Sequence, residues 1–216
     1  MKQIFISRNI DSSSPILKVI GDNILVDQSL IEFSALDFDT PPADWIFFYS
    51  RNGVKFFFEN GNYELYPYLW ACMSEGTADE LSQYVTDISF IGSGVPDDVA
   101  SSFEKIMPPS EITCFIRAEK SLDSIHKRLD RENDFSLPVY KNTPITNIPE
   151  QNFDILIFTS PMNVDAWLSK REFNDEIIIS IGNTTADHLS SFGIKNVLIA
   201  ETPSEESIAK CLLPLL

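Results

Sequence analysis

Four short polar turns have the residue types and setting of ligand-binding groups. They are Ser50-Arg51-Asn52, Ser93-Gly94, Thr159-Ser160 and Asn183-Thr184-Thr185. Each follows a short apolar run and precedes a helix-like pattern. In open α/β sheets, ligands sit beyond the carboxyl ends of the strands. The N–H groups of a following helix then offer donors and a positive dipole end to an anion. Arg8 and Arg117 also follow apolar runs, so each either reaches such a site or lies solvated at the surface. Plainer readings stand beside these. Thr184 or Thr185 is a good helix cap, Ser50 and Ser160 suit simple turns, and Lys55 and Lys120 suit the surface. Tyr140 is a phenol within LPVYKNTPI, residues 137–145, whose two prolines exclude helix and suit an edge ribbon.

The elements that position these turns are repeated. Residues 44–58, DWIFFYSRNGVKFFF, match residues 154–168, DILIFTSPMNVDAWL, without a gap. Each copy reads as a doubly buried strand, a small polar pair, and a helix with apolar residues at i, i+3 and i+4. A looser pair sets FIGSGVPDDVA, residues 90–100, against SIGNTTADHLS, residues 180–190. This alignment makes Val95 the counterpart of Thr185. It puts Ser93 and Asn183 in turns, and Asp97 and Asp187 in first helical turns, where the helix dipole favours acids. Duplicated strand–turn–helix units predict an α/β protein of two similar flavodoxin-like domains with mainly parallel sheets. The remaining segments complete the plan. Residues 3–8 predict a strand, 13–20 a helix, and 24–26 a second strand. Residues 31–36 and 137–146 are expected to form a two-stranded antiparallel β-ribbon between the domains. Residues 1–30 plus 147–216 are expected to make one domain, and 37–136 the other.

Composition limits the function. A length of 216 residues suits two small domains, and a 44% hydrophobic content suits a globular chain. Sixteen basic residues against 32 acidic ones give a formal charge of −16, which repels nucleic acid and anionic membranes. A few local cationic or N–H groups still suffice for an anionic ligand. No run approaches the roughly 18 apolar residues of a membrane span. Ile4-Phe5-Ile6 is too short for a signal peptide, so a cytoplasmic location is expected. Cys72, Cys114 and Cys211 form no CxxC, and His126 and His188 lack metal-ligand spacing. Neither a disulfide framework nor a metal site is expected. No GxGxxG or GxxxxGK[ST] occurs, which argues against a nucleotide-binding enzyme.

An ordered set of motifs resembles the uroporphyrinogen-III synthase family over nearly the whole chain. It comprises IFISR, DWIFFYSRNGVKFFFE, FIGSG, ITCFIRAEKSL, PVYKNT, DILIFTSPMNVDAWL and ISIGNTTADHLSSFGIKNVLIAETPSEESI. The resemblance implies two α/β domains, a site in the cleft between them, and no cofactor. It implies that hydroxymethylbilane, with its eight carboxylates, loses water and closes to uroporphyrinogen III with ring D inverted, a step of heme biosynthesis. The turn residues and arginines read above, Arg8, Ser50, Arg51, Asn52, Ser93, Gly94, Arg117, Thr159, Ser160, Asn183, Thr184 and Thr185, are then the candidate contacts to those carboxylates. The resemblance makes Tyr140 the candidate proton donor to the leaving oxygen. A monomer in transient contact with hydroxymethylbilane synthase is expected. The chain departs from the family pattern where Tyr49 and Arg51 replace the more usual Thr and small residue. The segment between FIGSG and ITCFIR is trimmed, and a smaller sheet is expected there. The competing expectation is a non-catalytic bilobal protein that binds a tetrapyrrole or small anion.

Overall fold

Apolar runs bounded by polar turns become strands buried on both faces, and amphipathic stretches become the helices that cover them. A computed structural model describes residues 1–61 and 67–216. In chain order the elements are β1 (Gln3–Ile6), α1 (Pro15–Val19), β2 (Ile24–Asp27), β3 (Ile31–Ala35), β4 (Trp45–Phe48), α2 (Arg51–Asn60), β5 (Leu69–Cys72), α3 (Glu75–Leu81), β6 (Phe90–Ile91), α4 (Pro96–Ile106), β7 (Thr113–Ala118), α5 (Ser124–Leu129) and β8 (Phe135–Pro144). They continue with β9 (Ile155–Phe158), α6 (Pro161–Leu168), β10 (Ile177–Ser180), α7 (Asn183–Ser191), β11 (Val197–Ile199), α8 (Glu205–Leu212) and a 3-10 turn at Leu213–Leu215. The chain divides into unit 1, Met1–Glu32 with Thr143–Leu216, and unit 2, Phe33–Asn142. It crosses from one to the other within β3 and within β8.

Unit 1 holds a parallel sheet in the order β11-β10-β9-β1-β2. Its central strand β9, Ile155 to Phe158, is wholly buried, as a parallel strand covered on both faces must be. One face packs Phe5, Leu156 and Phe158 around Trp167 of α6. The other packs Ile4, Ile6, Ile155 and Ile157 against α1 and α8 through Ile16 and Ile208.

Unit 2 holds a sheet in the order β3-β8-β7-β4-β5-β6. Its parallel pairs run from β8 through β7, β4 and β5 to β6. The proline-bearing stretch is therefore not an outer strand in the sheet order, although its pairing with β7 ends at Tyr140, before Pro144. β8 lies between β3 and β7, and the edges are β3 and β6. Pro138 is accommodated where the β7–β8 register slips between Arg117 and Ala118, a bulge that relaxes the demand for every ladder N–H. The guanidinium of Arg117 braces this bulge. It donates to the Ser136 hydroxyl and, from Nη1, to the carbonyls of Ala118 at 2.8 Å and Glu119 at 2.7 Å. The trimmed segment between β6 and β7 supplies the eleven-residue α4, and the sheet of unit 2 counts six strands among the described residues.

The strict repeat holds in structure, with β4–α2 on β9–α6. The looser repeat does not. β10 lies beside the central strand β9, and the strand in that place in unit 2 is β5, not β6. The counterpart of Ile181 to Leu189 is therefore Met73 to Leu81, which places Thr77-Ala78-Asp79 on Thr185-Ala186-Asp187. Thr77, not Val95, matches Thr185, and both are buried. Two other expectations change with this. Asn183 is the first residue of α7 and not a turn residue, so Asp187 falls in the second helical turn. In unit 2, by contrast, Gly94 takes φ +88° and Val95 is held extended before Pro96, so α4 starts only at that proline.

One buried acid in unit 2 gives a pH prediction. The Asp134 carboxylate accepts from Thr113 N at 2.9 Å and lies 3.9 Å from Arg131 Nε. Burial raises its pKa above the ordinary value despite these partners. A raised folded-state pKa means stability present at low pH and lost as pH rises through that value. Asp134→Asn keeps an oxygen for Thr113 N and removes the buried charge. We expect a higher urea midpoint than the parent at pH 7 and an equal one near pH 3, where both side chains are neutral. A lower midpoint at pH 7 would show that the Arg131 pair outweighs desolvation.

Candidate active site

In unit 1 the ends of β9 and β10 and the starts of α6 and α7 surround a pocket of about 450 Å³. Five of the residues expected to bind ligand line it: Thr159, Ser160, Asn183, Thr184 and Thr185. Buried Ser7, just past β1, fixes the rim. Thr159 N donates to Ser7 Oγ at 2.9 Å, and Thr159 Oγ1 donates to the Ser7 carbonyl at 3.0 Å. Ser160 caps α6 and accepts from Asn163 N at 3.3 Å and from Asn163 Nδ2 at 2.8 Å. A hydroxyl has two acceptor lone pairs and one proton. With both lone pairs engaged, Ser160 meets a ligand only as a donor. α7 starts without a capping side chain, so the N–H groups of its first turn are further donors at the pocket. Neither Thr184 nor Thr185 is a cap; they are the second and third residues of the helix. Ser160 and the first turn of α7 thus suit an acceptor such as a carboxylate, whereas Thr159 has both its N–H and its hydroxyl proton engaged by Ser7.

In unit 2 the matching serine has a different partner. Ser50 caps α2 by accepting from Gly53 N at 3.1 Å, and its Oγ lies 3.1 Å from the Tyr140 hydroxyl. Gly53 stands where unit 1 has Asn163, so no amide side chain reaches the serine, and a phenol from β8 takes that place. The Tyr140 ring stacks on Phe56 at 5.3 Å between centroids and lies 6.0 Å from Phe33. Tyr140 is only 6% exposed. Burial pushes its pKa above the ordinary tyrosine value, partly countered by the Ser50 hydrogen bond. The phenol is therefore protonated at neutral pH. Two hydroxyls joined by one hydrogen bond keep one proton between them and one for another acceptor.

The other expected residues are distributed as follows. Arg51 begins α2, with Nε donating to the Gly76 carbonyl at 2.6 Å, and Asn52 is half-buried on the same turn. Ser93 lines a separate pocket in unit 2 with Ser74, Glu75, Gly76 and Asp98, and Gly94 follows it. Arg8 lies 3.7 Å from Glu205 in unit 1. Arg117 is held in the bulge described above and is not brought to the Ser50–Tyr140 pair. Tyr49 faces inward, where its hydroxyl accepts from His126 N at 3.0 Å. Sequence reasoning missed Ser74, Gly76 and Thr77. The signal that would have found them is the repeated Thr-Ala-Asp with a leucine two residues on, at 77–81 and 185–189. Burial pushes the Cys72 thiol up to about 11 and raises that of Cys114, so neither is a thiolate nucleophile at neutral pH. Among the described residues, no three His, Cys, Asp or Glu side chains are grouped as metal ligands, and no helix is long and apolar enough to cross a membrane.

Comparison with known proteins bears on this arrangement. The fold is similar to that of uroporphyrinogen-III synthetase from Helicobacter pylori, at 24% identity and a TM-score of 0.74 over 100% of both chains. It is also similar to a mutant uroporphyrinogen III synthase from Thermus thermophilus, at 13% identity and a TM-score of 0.62, over 100% of this chain and 99% of that one. No curated protein sequence matches the chain. The family model described as "Uroporphyrinogen-III synthase HemD" matches residues 15–210. The chain therefore belongs to the uroporphyrinogen-III synthase family, enzymes of heme biosynthesis.

Proposed function

We propose that this chain cyclises hydroxymethylbilane with Tyr140 as the proton donor, acting through Ser50, and that each unit supplies donors for the substrate's carboxylates. The observation that carries this reading is the hydrogen-bonded Tyr140–Ser50 pair within a chain matched to the family model over residues 15–210. The reaction begins when the C–O bond of the ring A hydroxymethyl group breaks. The pyrrole nitrogen pushes the electrons, and the hydroxyl pair delivers a proton so that water leaves. The substituted carbon of ring D then attacks, giving a spiro intermediate that rearranges to the inverted ring. The proton released as the macrocycle closes restores the phenol. Most of the catalysis is orientation, holding ring D for the attack that an unrestrained chain does not favour.

Ser160, Thr185 and the first turn of α7 offer donors to carboxylates in unit 1, as Arg51 and Asn52 do in unit 2. The segments 31–36 and 137–146 serve as the hinge between a domain of residues 1–30 plus 147–216 and a domain of residues 37–136. The protein works as a monomer in the cytoplasm, taking its unstable substrate from hydroxymethylbilane synthase. Substrate holding in unit 1 is tested by Ser160→Ala. It removes a donor but leaves Asn163 to keep Leu30 N satisfied at 2.9 Å. We expect KM to rise about 5- to 10-fold, as for one ordinary hydrogen bond worth about 1–1.4 kcal/mol. An unchanged KM would remove this pocket from the substrate site.

A further inference from the structure

We propose that Gly76 is a positioning residue for Arg51, and that the guanidinium it holds is the carboxylate anchor of unit 2. This rests on the tetrapyrrole reading above. One difference between the repeats falls on a matched pair of positions that face each other. In unit 1, Pro161 on α6 and Thr184 on α7 line an open pocket. In unit 2 the matching residues are Arg51 on α2 and Gly76 on α3, and Arg51 Nε donates to the Gly76 carbonyl at 2.6 Å. A Cβ at position 76 would stand 2.8 Å from Arg51 Nη2. A side chain at residue 76 would displace the guanidinium from this place.

Charge pairing and exposure together set Arg51 apart. Among the described residues, Arg8, Arg117, Arg128 and Arg131 each lie beside a carboxylate. Arg171 binds the carbonyls of Pro149 and Gln151 and lies over the Trp167 ring. Among the described residues no acid forms an ion pair with Arg51, although the chain holds 32 acids against 16 bases. Its side chain is exposed on the first turn of α2, where the helix dipole disfavours a cation. A bound carboxylate reverses that penalty. With Nε fixed on a carbonyl, the two Nη groups present the planar fork that matches a carboxylate. Gly76 is not needed for its backbone angles, since its φ lies outside the left-handed region. An alanine there improves helix propensity.

The test compares the parent protein, Arg51→Gln, Gly76→Ala and the double variant. Isomer III formation is followed against hydroxymethylbilane concentration. In parallel, binding of uroporphyrin III, which carries the same carboxylates, is followed by fluorescence quenching. We expect Arg51→Gln to raise KM and the uroporphyrin Kd about 10-fold, the low end for losing a charge-assisted hydrogen bond. Gly76→Ala should raise both by several-fold while its Tm stays level or increases. In the Arg51→Gln background, Gly76→Ala should add nothing further. A Gly76→Ala protein with unchanged KM and Kd overturns the proposal, as does one whose loss persists in full without Arg51. Unchanged KM and Kd for Arg51→Gln would remove the anchor itself. A parent protein that makes no isomer III refutes the catalytic reading instead, and the binding arm still decides the roles of Arg51 and Gly76.

Discussion

Tyr140→Phe is expected to lower kcat for isomer III by about 10- to 100-fold with little change in KM or in thermal stability. The phenylalanine ring keeps the stack on Phe56 and the contact with Phe33, so the packing of β8 survives. What is lost is the hydroxyl 3.1 Å from Ser50. General acids commonly contribute about 10²- to 10⁴-fold. The effect here should lie at or below the low end, because the pyrrole nitrogen supplies most of the push that breaks the C–O bond. Because burial raises the phenol's pKa, no loss of activity from its ionisation is expected up to about pH 10, its ordinary value. Ser50→Ala should mimic part of the effect, since it breaks the path while leaving Tyr140 in place. Steady-state rates for the three proteins, with circular dichroism to verify folding, provide the check. A Tyr140→Phe enzyme with parent kcat would remove Tyr140 from the chemistry.

The second large effect concerns stability. Trp167 of α6 is fully buried in unit 1. Its ring lies 5.1 Å from Phe5, 6.1 Å from Phe153 and 5.9 Å from Phe158, with the Arg171 guanidinium 4.7 Å from its centroid. Trp167→Ala removes all four contacts and leaves a cavity between α6 and the sheet. Large-to-small changes of this kind cost about 3–5 kcal/mol. Total stability of an ordinary domain is about 5–15 kcal/mol, so unit 1 would retain only a fraction of it. Urea unfolding followed by circular dichroism should show a clear fall in midpoint. Trp167→Phe should recover much of it. A shift equivalent to under about 1 kcal/mol, that of a surface substitution, would mean the packing around α6 is not what holds unit 1 together.

Much of this architecture was legible in the sequence because the main signal is periodic. Trp45–Phe48 and Ile155–Phe158 are continuous apolar runs, and each is followed by a serine cap and an i, i+3, i+4 pattern. That is enough to set strand, turn and helix twice over. The second repeat was misaligned for an equally physical reason. β5, Leu69-Trp70-Ala71-Cys72, lacks the β-branched residues that mark β10, Ile177-Ile178-Ile179-Ser180, so the glycine turn after β6 drew the match instead. Thr77 and Thr185 were the better guide. The candidate site was legible as turns but not as contacts. Nothing local shows that Asn163 engages both lone pairs of Ser160, that Gly53 leaves room for Tyr140 on Ser50, or that Arg51 lies on Gly76. Nor does it show that Arg117 bends back on its own strand ending. These depend on which elements become neighbours in the sheet, and that order only emerges in the fold.

The central claim is that this chain directs ring closure, and it is tested most directly by the isomer formed. Hydroxymethylbilane is generated with its synthase, this protein is added, the products are oxidised, and uroporphyrins I and III are separated by chromatography. The account predicts isomer III in large excess over the isomer I that closes spontaneously. Isomer I alone, from protein shown to be folded, would contradict it and leave a tetrapyrrole-binding protein without catalysis.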